Sequence, residues 1–195
     1  MPLEPPDHQY WTAAVRYVEL GMFEEANNQL EYIDPFNRAG PEVLAVGIAV
    51  YHGLKKWELM QEVAKRLAEF QPNDIQWTVS LAYATRRADS IQGAKQILLN
   101  AESRFPKEAI IKYNLACYCC QLGEIQNAKS HLKKVFEIDS SWRMQALDDE
   151  DLGPFGIRFN LSPSCVPMKK LTALLELEAT ILSARARPTR KLGGT

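Results

Sequence analysis

The chain contains no run of eighteen apolar residues, so its sequence predicts no membrane-spanning helix. The first residues, MPLEPPDHQYW, hold neither a basic region nor an apolar stretch, so no secretory leader is expected. Cysteine is scarce. There are 4 among 195 residues, and Cys117, Cys119 and Cys120 crowd into one short stretch. That crowding is no disulfide framework, and it predicts a cytoplasmic protein with reduced thiols. Neither sign of charge is in excess: 23 Lys+Arg face 24 Asp+Glu, a net charge of −1. Neutralising several phosphates needs a clear basic surplus, so a dedicated nucleic-acid binder is excluded. There is no G-x-G-x-x-G, P-loop, G-x-S-x-G or H-E-x-x-H motif. His8, His52 and His131 are scattered, with no pair at metal-ligand spacing. No enzymatic activity, cofactor or metal is therefore expected.

What is present is ordinary globular material: 46% apolar and 24% charged residues in 22.1 kDa. This is one domain or one repeat array, and a compact chain of that size buries roughly 70% of its unfolded surface. The neutral total hides a gradient. Residues 1–74 carry 6 basic and 12 acidic groups, residues 75–141 carry 9 and 6, and residues 142–195 carry 8 and 6. The gradient reads either as chance surface composition or as a charge-steered docking surface, and it leaves homo-oligomerisation open.

A 34-residue period organises the middle of the chain. At that shift Leu81 falls on Leu115, Ala82 on Ala116, Ala94 on Ala128, Leu98 on Leu132 and Ala101 on Val135. The spacing from Gly21 to Ala26 repeats that from Gly123 to Ala128. At a shift of 37, Ala26, Leu30, Ile33 and Pro35 fall on Val63, Leu67, Phe70 and Pro72. Four helix pairs follow, at about 7–40, 41–73, 74–107 and 108–141, after an N-terminal tail 1–6. Small residues let helix backbones approach, and the leucines fill the space between them. Gly21 and Gly123 suit a left-handed turn after a first helix. Pro35, Pro72 and Pro106 end second helices. One pair cannot bury its own apolar faces, so stacked neighbours make the core.

These residues resemble the tetratricopeptide repeat. Ala82 with Ala94, and Ala116 with Ala128, stand at the small positions 8 and 20 of that motif, and Pro106 at its position 32. The run YNLACYCCQLGEIQNA, residues 113–128, is similar to a bacterial repeat of this kind. Ser140 replaces the second proline, and Thr78 and Lys112 replace the aromatic at position 4. The resemblance covers roughly residues 7–140. It implies an all-α, right-handed solenoid that binds a protein or peptide segment in its concave groove. By motif position, the groove residues it implies are Gln76, Val79, Tyr83, Arg86 and Arg87 from the third pair. From the fourth they are Ile110, Tyr113, Cys117, Cys120 and Gln121. Arg86 and Arg87 also fit a solvated helix C-terminus. A lysine-rich carboxylate clamp is not expected, because Tyr113 and Cys117 stand where its lysines would be. Asn114 is expected to hydrogen-bond within the array.

Residues 142–167 lack helical periodicity and read as irregular, with strand-like alternation at Phe155, Ile157, Phe159 and Leu161. That strand reads either as a lid over the last repeat or as a segment lying in a groove. Asp148, Asp149, Glu150 and Asp151 read as a solvated turn or as the N-terminal cap of a short helix. An amphipathic stretch at 168–187 predicts a helix capping the array, followed by a basic tail at 188–195. The expected work is that of a non-catalytic adaptor or scaffold. Two rivals stay open: a cytoplasmic chaperone that holds an exported protein, and a metal or redox protein built on the Cys117/Cys120 C-x-x-C pair. Against the second, that pair sits inside a helix rather than at its N-terminus, where small apolar packing is the expected role.

Overall fold

The structure is a computed structural model, which describes residues 3–147 and 149–155. Among these residues it is all helix: α1 (Asp7–Glu19), α2 (Phe23–Tyr32), α3 (Pro41–Gly53), α4 (Trp57–Phe70), α5 (Ile75–Ala88), α6 (Ile91–Arg104), α7 (Ala109–Gln121), α8 (Ile125–Ile138) and α9 (Trp142–Leu147). Two 3-10 turns, Asn37–Ala39 and Glu150–Phe155, complete it. Helices adjacent in sequence pack on one another. Of the strand read at 155–161 only Phe155 is described, and it ends a 3-10 turn instead; the rest of it, the helix read at 168–187, the tail at 188–195 and Cys165 lie outside the described residues.

The second helix of each pair shows one apolar stripe. Met60, Ala64 and Leu67 are buried on α4, Ala94, Leu98 and Ala101 on α6, and Ala128, Leu132 and Val135 on α8. These i, i+4, i+7 positions share one helix face. Two first helices differ. Residues 43–50 of α3 and 111–120 of α7 are buried without a break, so each is covered on every side. Side chains cap two of the helix starts. The Asp74 carboxylate accepts from the Gln76 N–H, and Ser90 Oγ from the Gly93 N–H.

Three first helices end alike. Gly21 (φ 72°) and Gly123 (φ 76°) turn the chain left-handed, and the N–H of the next residue bonds back to Tyr17 or Cys119. In the second pair a non-glycine takes that place: Lys55 has φ 56°, and the Lys56 N–H bonds to the Tyr51 carbonyl.

The core forms two clusters that meet at α5. Trp77, Tyr83 and Ala84 join the residues of α1–α4, while Ala82 joins those of α6–α9. The first pair is tied to the second by Trp11, whose Nε1–H donates to the Glu42 carbonyl at 3.1 Å.

Residues 142–147 and 150–155 correct the expectation that 142–167 is irregular, as far as that span is described. They form α9 and a 3-10 turn, because Trp142 stacks on Tyr113 (4.8 Å between ring centroids) and Ala146 and Leu152 are buried in the second cluster. Tertiary burial supplies the order that sequence periodicity does not announce.

Candidate functional site

The first helices α5 and α7 carry every residue that the repeat resemblance assigns to the groove. Tyr83 and Val79 are buried, Gln76 and Ile110 are half-buried, and Arg87 and Gln121 are exposed. Tyr113, Cys117 and Cys120 are buried. What buries them is the chain itself: the turn Glu150–Phe155 packs on α7.

Two carboxylates of this segment organise the contact. Asp149 Oδ2 accepts from Tyr113 Oη at 2.8 Å and from the Cys117 thiol at 3.8 Å. Its other oxygen accepts from the Asp151 N–H at 3.0 Å, which caps the 3-10 turn. Asp151 receives both terminal nitrogens of Arg86, at 2.8 and 2.9 Å, and the side-chain amide of Gln121. Leu152 follows with no exposed surface. So the acidic run is a helix cap, as one of its two readings had it. Within it Asp149 is not solvated: it is only 8% exposed and takes its side-chain partners from α7, while Glu150 is exposed. Arg86 is likewise no solvated helix end. Its guanidinium also lies over the Tyr118 ring at 5.4 Å.

The electrostatics follow from burial. Tyr113 is held far above its ordinary range, by burial first and by the nearby Cys117 and Asp149 next, so it stays a hydroxyl donor. Burial also raises Asp149, while the bond from Tyr113 pulls the other way. Burial is the largest single influence on Arg86 and lowers it, but the hydrogen bonds and charge of Asp151, with Tyr118 and Cys117, together outweigh it, and the net shift is upward.

The C-x-x-C pair has the opposite of a reactive environment. Cys117 is raised well above its ordinary value by burial and by the charges of Asp149 and Asp151. Burial also raises Cys120, and pushes Cys119 up to about 11. A thiolate is the nucleophile and the metal ligand, and none is favoured here. One donor from each of Cys117, Asp149 and Asp151 lies within 4.8 Å of the others. The positive charge facing those carboxylates is that of Arg86. Asn114 donates to the Ile110 carbonyl at 2.8 Å, within its own helix.

A second part of the site lies where α5 meets α3 and α4. The Arg87 guanidinium sits over Tyr83 at 4.7 Å and over Trp57 at 5.1 Å. His52 Nε2 lies 3.3 Å from Tyr83 Oη, and its ring is edge-on to Trp57. His52 is held below its ordinary value by burial and by the Arg87 charge, which favours the neutral ring.

Sequence reasoning missed Asp149, Asp151, Leu152, His52 and Trp57. One signal was available. The run from Tyr113 to Cys120 has no charged residue, so no part of that helix suits open solvent. A helix apolar all round needs cover, and the nearest uncommitted chain was the acidic segment after residue 147.

No protein-family model and no curated protein matches this sequence. Solved structures do. One is residues 41 to the end of MamA from Desulfovibrio magneticus RS-1, at 15% identity and TM-score 0.65, covering 96% of this chain and 100% of that one. Another is MamA MSR-1, at 16% identity and TM-score 0.58, covering 90% and 99%. At such identities the likeness carries the fold alone. Together with the 34-residue period and the stacked helix pairs, it shows an all-α fold of tetratricopeptide-like helical repeats.

Proposed function

We propose that the chain is a non-catalytic interaction scaffold, which holds a peptide segment of another protein along the wall built by α3, α5 and α7. The observation that carries this reading is Arg87. It is exposed, it is held over two aromatic rings, and it has no carboxylate within ion-pair reach among the described residues. Stacking of this kind is worth about 0.5–1 kcal/mol at an exposed site. It holds the guanidinium in place beforehand, so less freedom is lost when a carboxylate binds bidentately. No described helix is long and apolar enough to cross a membrane. The cytoplasm is the compartment we propose, on the crowding of Cys117, Cys119 and Cys120 as buried free thiols.

Partner capture by the tagged chain tests the reading. Arg87→Glu is the clean probe, because Tyr83 is 4% exposed and its truncation would open a cavity. The matched control is Arg66→Glu on α4, the same charge change on a side chain 53% exposed. Partners should be lost with Arg87→Glu and kept with Arg66→Glu. Partners that survive both changes would sink the groove reading.

A further inference from the structure

We infer that Asp149–Leu152 is a displaceable occupant of the α5–α7 part of the groove, and that the partner segment it stands in for is acidic, with two carboxylates separated by one residue and followed by a large apolar side chain. This rests on the peptide-scaffold reading and names its ligand chemistry.

The polarity of the contact carries the inference. The helix side offers donors: two N–H groups of Arg86, the Gln121 amide, the Tyr113 hydroxyl and the Cys117 thiol. The segment side offers the carboxylates of Asp149 and Asp151. Donors aimed at one place from two helices form a receptor for carboxylates, and a bidentate arginine gives it geometric selectivity. Leu152 adds the apolar part, buried in one core cluster with Leu132 of α8 and Ala146 of α9. The recognised shape is also local. The Asp151 N–H bonds to Asp149 Oδ1 two residues back, so a separate peptide with Asp-x-Asp spacing can form the same turn.

The tether sets how hard the occupant is to displace. A short intramolecular link gives an effective concentration on the order of millimolar. A free peptide making equal contacts loses to it at micromolar concentration, so binding should appear once the resident segment is weakened.

The experiment uses the full chain with Asp149→Asn and Asp151→Asn together, and a labelled peptide of residues 149–155, DEDLGPF. Fluorescence anisotropy should give at least tenfold tighter binding to the double variant than to the unmodified chain. The gain should vanish with a peptide carrying Asn at both acidic positions, and when Arg86→Ala is added. Equal affinity for the acidic and Asn peptides overturns the inference. So does absence of binding to a double variant whose helical circular dichroism matches the unmodified chain. If the double variant loses helix, the readout is amide exchange at Asp151 in the unmodified chain. Faster exchange at millimolar peptide supports displacement, and unchanged exchange overturns it. A failed titration with Arg87-dependent capture intact rejects this inference alone. Failure of both rejects the scaffold reading as well.

Discussion

Arg86 and Asp151 lie sixty-five positions apart and meet through two N–H···O bonds of 2.8 and 2.9 Å, each side chain 16% exposed. Charged hydrogen bonds of this kind are worth about 1.5–3 kcal/mol, and removing one partner strands the other. Arg86→Ala should therefore destabilise the chain by about 2 kcal/mol in urea unfolding. Asp151→Asn should cost less, since an amide oxygen still accepts. A double-mutant cycle should show the pair coupled, whereas additive losses would mean that the contact is idle.

Two glycines of α3 should respond in opposite directions. A Cβ at Gly53 would lie 2.3 Å from the Phe23 ring, so Gly53→Ala should cost about 1–3 kcal/mol through overpacking. A Cβ at Gly47 meets nothing nearer than Tyr51 at 3.6 Å. Gly47→Ala should then gain up to about 1 kcal/mol of helix propensity. Thermal melts of the two variants check the contrast, and a shift of the same sign in both would refute it.

Lys55 occupies the left-handed position that glycine holds after α1 and α7. That conformation costs an L-residue about 1–2 kcal/mol, partly offset by glycine's extra freedom when unfolded. Lys55→Gly should stabilise by several tenths to about 1 kcal/mol, and Lys55→Ala should not. A lower midpoint for Lys55→Gly would contradict the assignment.

Mild acid should weaken the fold through two histidines. Burial lowers both His52 and His131 from the ordinary 6.5. Arg87 adds to the effect at His52. At His131, Glu102 opposes it while Lys134, Lys112 and Lys95 assist. Each ring thus takes up a proton less readily folded than unfolded. The stability they contribute is complete above 6.5 and is lost as pH falls from there through the folded values. The urea midpoint should fall as the pH is taken from 6.5 downward, and His131→Gln should shrink the drop. A flat midpoint over that interval would exclude the effect.

The repeat architecture was legible because its causes are local and periodic. Ala94, Leu98 and Ala101 recur at Ala128, Leu132 and Val135, and each triplet is one buried stripe. Gly21 and Gly123 announced their left-handed turns, whereas Lys55 hid the same turn behind an unfavourable residue type. The candidate site was legible by half. The motif positions named Arg86, Arg87, Tyr113, Cys117 and Gln121 as groove residues, but not what they touch.

By itself, then, the sequence determined the all-α class and the helix pairing, and with them the placing of Arg86, Arg87, Tyr113, Cys117 and Gln121 on α5 and α7. Those follow from spacing along a helix, which acts over a turn or two. Tertiary structure alone decided that Asp149, Asp151 and Leu152 return to those helices, and that Arg86 is paired while Arg87, one residue on, stacks on Trp57 and Tyr83. The return joins residues thirty to sixty-five positions apart. It rests on complementary donors and acceptors brought out of water together, and no periodicity in the chain encodes that pairing.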